Sequence, residues 1–360
     1  MGTNTRQSNF EILRVLAMLM IIAWHLILRG VGEHLYSAGG IGFANYVILQ
    51  FITVICSSCV NLFVLVSGYF LVDKPFNWRR MTRLWMEVVF YTFTISLITY
   101  FTSPGTLTVK DLLEGLSPVY FGQYWFFQKY FGLVCLAPFL SKVATTLEQK
   151  QYKRFLGALV LICCTLTLEF PYGDLMGASK GFHLIWFIAL FFFGGYFKRF
   201  AVQYDKKKLV WFIAIAATVS TAFILAKAYM RHSFFIEAPA YNGIGFLITV
   251  PIFLYFRQKT FAPTRFWNFV ASLAPLTFGV YLIHEHTYVR PIIWYKIVDW
   301  PAVSESVYMM PAALAAIVAI FLVCAAIEFI RIQFFKICRV NNLTDSVSDF
   351  ISSTVEKLFK

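Results

Sequence analysis

The chain has 360 residues, of which 59% are hydrophobic and only 14% charged, with a mean hydropathy of +0.69 and a formal net charge of +13 at pH 7. That much apolar surface excludes a soluble enzyme or binding module and predicts an all-α, polytopic membrane protein. The apolar stretches are continuous rather than alternating, which excludes a β-barrel. The first of them is too long for a signal peptide and has no small-residue cleavage site behind it, so it is expected to stay in the membrane.

About ten membrane spans are predicted, at 10–28, 46–72, 84–102, 122–140, 155–170, 182–197, 209–226, 240–256, 266–284 and 309–330. The eighth is the weakest, interrupted by Gly243, Gly245 and Pro251. The first carries Arg14 and His25 inside an apolar run, and ionisable groups placed there mark a functional site by default. Eleven residues at about 100° each bring the two to nearly the same azimuth, about 16 Å apart along the axis. One helix face thus carries an anion binder near one surface and a proton-transfer group near the other. Glu11, three residues before Arg14, is placed either to pair with it locally or to orient it. Asn61, in the second span, is a buried amide that needs partners, and Ser67 beside Gly68 reads as a packing residue.

Before the third span, Arg80 and Arg83 at i and i+3 share a helix face and can fork onto phosphate oxygens; the plainer alternative is a local pair between Arg83 and Glu87. Lys129 lies inside the fourth span and needs water or a partner, with snorkelling as the alternative to a substrate contact. His284, Glu285 and His286 end the ninth span, where an i, i+2 histidine pair is poor spacing for a metal on a helix; no metal site is expected. Seven cysteines, an odd number mostly within spans, read as packing residues rather than a disulfide framework.

Basic residues fix the expected orientation. Arg6 comes first, then Lys74, Arg79, Arg80 and Arg83, then Lys142, Lys150, Lys153 and Arg154, then Lys198, Arg199 and Lys206–Lys208, then Arg257, Lys259 and Arg265, and finally Arg331, Lys336, Arg339, Lys357 and Lys360, all on the same side of the expected spans. This bias predicts that both termini face the cytoplasm, and it explains the net charge without a nucleic-acid partner. Residues 1–339 are expected to form one transmembrane domain. The polar stretch 340–360 is expected to form an amphipathic cytoplasmic tail able to lie on the bilayer.

Arg14-x10-His25 and Arg80-x-x-Arg83 together resemble the acyltransferase-3 family of membrane acyltransferases. Ser67-Gly68-Tyr69-Phe70, Tyr124-Trp125-Phe126, Phe192-Phe193-Gly194-Gly195-Tyr196 and Phe278-Gly279-Val280-Tyr281 are similar to that family too, and the likeness extends over nearly the whole chain. The resemblance implies ten helices and transfer of an acyl group, usually acetyl from acetyl-CoA, to a hydroxyl of a cell-surface or lipid-linked saccharide, in a bacterial inner membrane. It implies no permanently bound cofactor. No appended extracytoplasmic hydrolase-like domain is expected, so direct transfer by the membrane domain is expected.

On that resemblance Arg14, Arg80 and Arg83 are expected to hold the CoA phosphates, and His25 to serve at the chemical step as general base or as acyl-accepting nucleophile. Trp125, Lys129, Tyr281 and His284 are further substrate-binding candidates, with Trp125 and Tyr281 as possible oxyanion donors. Within the enzyme class, N-acyl transfer to an amine is the nearest competitor. The competing class is a transporter or flippase for a lipid-linked or polar solute; a basic tunnel ending at His25 favours transfer, and a two-gated through-path favours transport.

Overall fold

The computed structural model describes residues 7–165 and 179–358. In chain order the helices are α1 (Ser8–His25), α2 (Gly40–Cys56), α3 (Cys59–Leu71), α4 (Trp78–Thr102), α5 (Val109–Glu114), α6 (Trp125–Thr146), α7 (Gln149–Val160) and α8 (Leu184–Arg199). They continue as α9 (Lys206–Met230), α10 (Phe246–Gln258), α11 (Arg265–Ser272), α12 (Thr277–His284), α13 (Arg290–Tyr295), α14 (Trp300–Ser304), α15 (Met309–Ile337) and α16 (Val340–Leu358). No strand occurs among the described residues. All-helical architecture is what a bilayer demands, because each helix satisfies its own backbone groups.

Among the described residues, six helical segments are long and apolar enough to cross a membrane: Ser8–Glu33, Gly40–Leu71, Trp78–Thr102, Lys206–Met230, Arg265–His284 and Met309–Ile337. The remaining expected spans fall on α6, α7, α8 and α10. These are shorter, less apolar or broken; α6 contains Pro138 and α10 contains Pro251. The end of the expected fifth span, 166–170, and the basic residues Arg6 and Lys360 lie outside the described residues.

Helix α1 is the hub. It packs against α2, α3, α10, α11, α12 and α15, and its Leu13 and Ile22 are fully enclosed. The central position explains how this helix can carry charges: they face other helices rather than lipid. Two motifs noted in the sequence meet where α3 crosses α8. A Cβ on Gly68 would lie 2.6 Å from the Phe191 backbone, and one on Gly194 would lie 2.5 Å from the Tyr69 nitrogen. Reciprocal glycines therefore set this close crossing, as small residues do in membrane helix pairs.

Buried polar groups tie the bundle together. Asn61 donates to the Tyr241 carbonyl at 2.6 Å and accepts from the Trp186 indole at 2.9 Å, so its amide is satisfied. Glu328 on α15 accepts from the Tyr91 hydroxyl of α4 at 2.7 Å and from Arg331. Glu87 pairs with Arg331 at 3.4 Å, not with Arg83. The local Arg83–Glu87 alternative is thereby corrected, because Glu87 faces the α4–α15 seam while Arg83 faces α16.

Residues Val340–Leu358 form the helix α16, which is docked on α4. Asp349 takes a two-pronged bond from Arg79 at 2.9 and 3.1 Å, and Asp345 one from Arg83 at 2.6 and 2.9 Å. Both partners are spaced i, i+4 and matched in reverse order, so α16 runs antiparallel to α4. Leu343 and Phe350 remain exposed on α16.

Candidate active site

The site is built on one stripe of α1. Arg14, Met18, Ile21 and His25 follow the spacing i, i+4, i+7, i+11, and all four line one cavity of about 300 Å³. The shared face expected from the sequence is therefore present. Cys59, Phe63 and Ser67 of α3, Arg80 and Leu84 of α4, Trp125, Phe126 and Tyr130 of α6, and Phe278 and Tyr281 of α12 also line it.

Arg14 and Arg80 border the cavity together. Glu11 holds Arg14 at 2.8 Å, and the guanidinium lies over the Phe70 ring at 5.7 Å. The local pair between Glu11 and Arg14 is therefore present. Arg80 also borders a neighbouring cavity of about 320 Å³ that includes Lys74, Phe76 and Asn77. Arg83 is not brought to either cavity. Three residues leave about 60° between two helical side chains, enough to aim Arg80 inward and Arg83 at Asp345. The expected Arg80–Arg83 fork on one phosphate is corrected accordingly.

His25 closes α1, and a five-residue π-helical turn, Leu26–Gly30, follows directly. Such widened turns concentrate at functional sites. Here the turn carries Arg29 to Glu285, which it meets at 2.8 Å. The His25 Nδ1 atom stands 3.2 Å from His284 Nε2 and 3.3 Å from Glu285 Oε1.

The proton positions in this chain follow from its far end. His284 Nδ1 lies 2.6 Å from the Val280 carbonyl, which can only accept. The neutral His284 ring therefore carries its proton on Nδ1 and presents a lone pair on Nε2 to His25. His25 then donates from Nδ1, toward both His284 and Glu285, and its Nε2 is left as the basic nitrogen. This is the geometry of an oriented general base.

His25 also lines a second cavity of about 270 Å³, with Arg29, Lys180 and Phe182. Trp24, Trp125 and Tyr241 border both cavities. Trp125 and Tyr241 are stacked at 13° with centroids 6.2 Å apart, and Trp24 lies 5.4 Å from Tyr241. An aromatic diaphragm thus separates two compartments that share one histidine.

Trp125 and Tyr281 fall on the cavity wall as expected. Lys129 does not; its ammonium donates to Gln128 at 2.7 Å, away from the cavity. His284 is fully buried behind His25, so its place is that of a partner to the imidazole rather than a wall for substrate. The arrangement also gathers a group that spacing along the chain did not, since His25, His284 and Glu285 have donor atoms within 4.8 Å of one another. The Arg29 guanidinium bonds Glu285 at 2.8 Å, and Arg290 lies 4.0 Å from its other oxygen, so the carboxylate faces two guanidinium groups.

Sequence reasoning missed Arg29, Glu285, Trp24 and Tyr241. Arg29 was within reach, being four residues after His25 on the same face. Tyr241 was not, since it comes from a distant and weakly marked segment.

The acyltransferase-3 family model, described as an acyltransferase domain, matches residues 7–329. No curated protein and no solved structure matches the chain. With nine-tenths of its length covered by that one match, from before Arg14 to the buried Glu328, the chain belongs to the acyltransferase-3 family of membrane acyltransferases.

Proposed function

We propose that this membrane acyltransferase moves an acetyl group from cytoplasmic acetyl-CoA to a hydroxyl of a cell-surface or lipid-linked saccharide. One observation carries the reading: His25 is shared by two cavities, one bordered by Arg14 and Arg80, the other opening beyond the aromatic diaphragm.

In this reading Lys74 and Arg80 hold the nucleotide phosphates in the Arg80 cavities, with Arg14 at the next turn of the path. Phe76 offers a ring for the adenine. The pantetheine arm threads past Met18 and Ile21 and brings the thioester carbonyl to His25. The acceptor hydroxyl enters from the Lys180–Phe182 side.

His25 Nε2 takes the hydroxyl proton as the oxygen attacks the thioester carbon. The tetrahedral intermediate collapses with cleavage of the C–S bond. The imidazolium returns its proton to the departing thiolate, giving an ester and CoA thiol. Glu285 favours the transient imidazolium through the Nδ1 proton. His284 and Val280 fix the ring so that it presents the correct nitrogen.

The test is release of labelled acetyl from acetyl-CoA by the protein in nanodiscs, beside His25→Ala. Expected is turnover in the presence of native envelope glycan, lowered about 10²- to 10⁴-fold in a variant that still binds CoA. Absence of CoA binding by the unaltered protein would overturn the reading and restore the transporter alternative.

A further inference from the structure

Each of the two cavities that share His25 has its own cations. Arg14 and Arg80 border the first, and Arg29 and Lys180 the second. Acetyl-CoA carries its charge on the nucleotide end and its thioester is neutral, so the donor calls on the cations of the first cavity alone. The pair in the second cavity answers to something else. Among the described residues no aspartate or glutamate lines that cavity. Glu237, which precedes its wall residues Ala238 and Pro239, is engaged by Lys227. Glu285 bonds Arg29 at 2.8 Å but also faces Arg290 at 4.0 Å, so its single charge is already outnumbered and leaves that of Lys180 unopposed.

The backbone holds Lys180 in this place. It sits at φ 50° and ψ 11° in the short turn Ser179–Gly181, a left-handed conformation that is costly for a lysine and persists only where its surroundings impose it. Gly181 follows at φ 85°, and a Cβ there would lie 2.7 Å from Tyr241 Cβ, so the turn is pressed against Tyr241. Phe182 then packs on Trp125 and Tyr241, with ring centroids 4.7 and 5.1 Å away. Lys180 itself is exposed, and its ammonium has no carboxylate partner among the described residues. Arg29 gives one donor to Glu285 and keeps the others for a ligand.

We propose that Arg29 and Lys180 read an oxyanion on the acceptor sugar, a carboxylate or a phosphate close to the hydroxyl that is acetylated. The guanidinium supplies a planar fork for that group and the ammonium a movable point charge. Trp24, Trp125, Phe182 and Tyr241 offer ring faces against which a pyranose can lie, and these hold a sugar without sensing its charge. Discrimination between an acidic sugar and its neutral counterpart therefore falls to the two cations. Lys180, which no carboxylate among the described residues engages, is the specificity-determining one. This rests on the reading above, in which a saccharide hydroxyl enters by this cavity.

The experiment titrates the full-length protein in nanodiscs with methyl glucuronide, glucose 1-phosphate and methyl glucoside, beside Lys180→Gln, Lys180→Glu and Lys180→Arg, with acetyl-CoA binding measured separately. Expected is binding of at least one acidic sugar about tenfold tighter than the glucoside. That preference should weaken with added salt, vanish in Lys180→Gln and Lys180→Glu, and survive in Lys180→Arg. Glucuronide as the tighter ligand makes the group a carboxylate, and glucose 1-phosphate makes it a phosphate. Because Lys180 is exposed, the variants should fold, and acetyl-CoA binding unchanged in all of them verifies it. Equal binding of the acidic and neutral sugars by the unaltered protein, binding of none of them, or an acidic preference that persists in Lys180→Gln and Lys180→Glu would each overturn the proposal. Failure of the unaltered protein to bind acetyl-CoA strikes the donor reading and leaves the sugar titration to stand or fall separately.

Discussion

His25 is one imidazole among six histidines, and its neighbours give it a role. Its Nδ1 proton is spoken for by His284 and Glu285, so removing either neighbour should alter the chemistry without disturbing donor binding. For His284→Ala a fall in kcat on the order of 10²-fold is expected, with the KM for acetyl-CoA unchanged and the pH–rate profile displaced. A loss confined to stability, with normal kcat in the folded fraction, would reduce His284 to packing. Arg14→Ala and Arg80→Ala should do the reverse. Each removes charge-assisted bonds of about 1.5–3 kcal/mol, so CoA affinity should fall roughly 10- to 100-fold by calorimetric titration, with kcat at saturation largely retained. Arg83→Ala should leave affinity nearly unaltered, because its guanidinium is engaged by Asp345.

At the scale of helices, the crossing of α3 and α8 and the α4–α15 seam carry the mechanical load. Gly68→Ala forces a methyl group against the Phe191 backbone, where no side chain can yield; a loss of about 1–3 kcal/mol is expected from thermal unfolding in detergent. Glu328→Ala leaves Arg331 and Tyr91 without their shared acceptor in a buried seam, and should cost about 3–5 kcal/mol by the same measurement.

Docking of α16 is electrostatic and exposed. The Asp345 carboxyl is held below the usual carboxylate range by its bonds from Arg83. Its contribution is therefore present above the ordinary carboxylate pKa and lost as pH falls through the lowered value. Asp345→Asn with Asp349→Asn should speed hydrogen exchange across 340–358 at neutral pH, and high salt should mimic the substitution.

Helices of this kind were legible from apolar runs, and the Arg14–His25 stripe from an eleven-residue spacing. The split of Arg80 from Arg83 was not, because 60° on a helix decides a partner only once the neighbouring helix is known. Nor was Glu285 as the carboxylate behind His25: the two are 260 positions apart, and nothing in a single sequence announces that contact.

Taken whole, the molecule is a bundle around α1 with cavities at both ends of one stripe. In the proposed function the acetyl group passes from one compartment to the other at His25 while the CoA carrier stays behind. The direct measurement uses sealed proteoliposomes of uniform orientation, with labelled acetyl-CoA enclosed on the Arg14 side and envelope glycan supplied on the other. Label should appear as ester on the outside glycan, with CoA thiol retained inside, and His25→Ala should abolish both. Labelled acetyl-CoA emerging intact, or ester formed only when donor and acceptor share a side, would contradict the account.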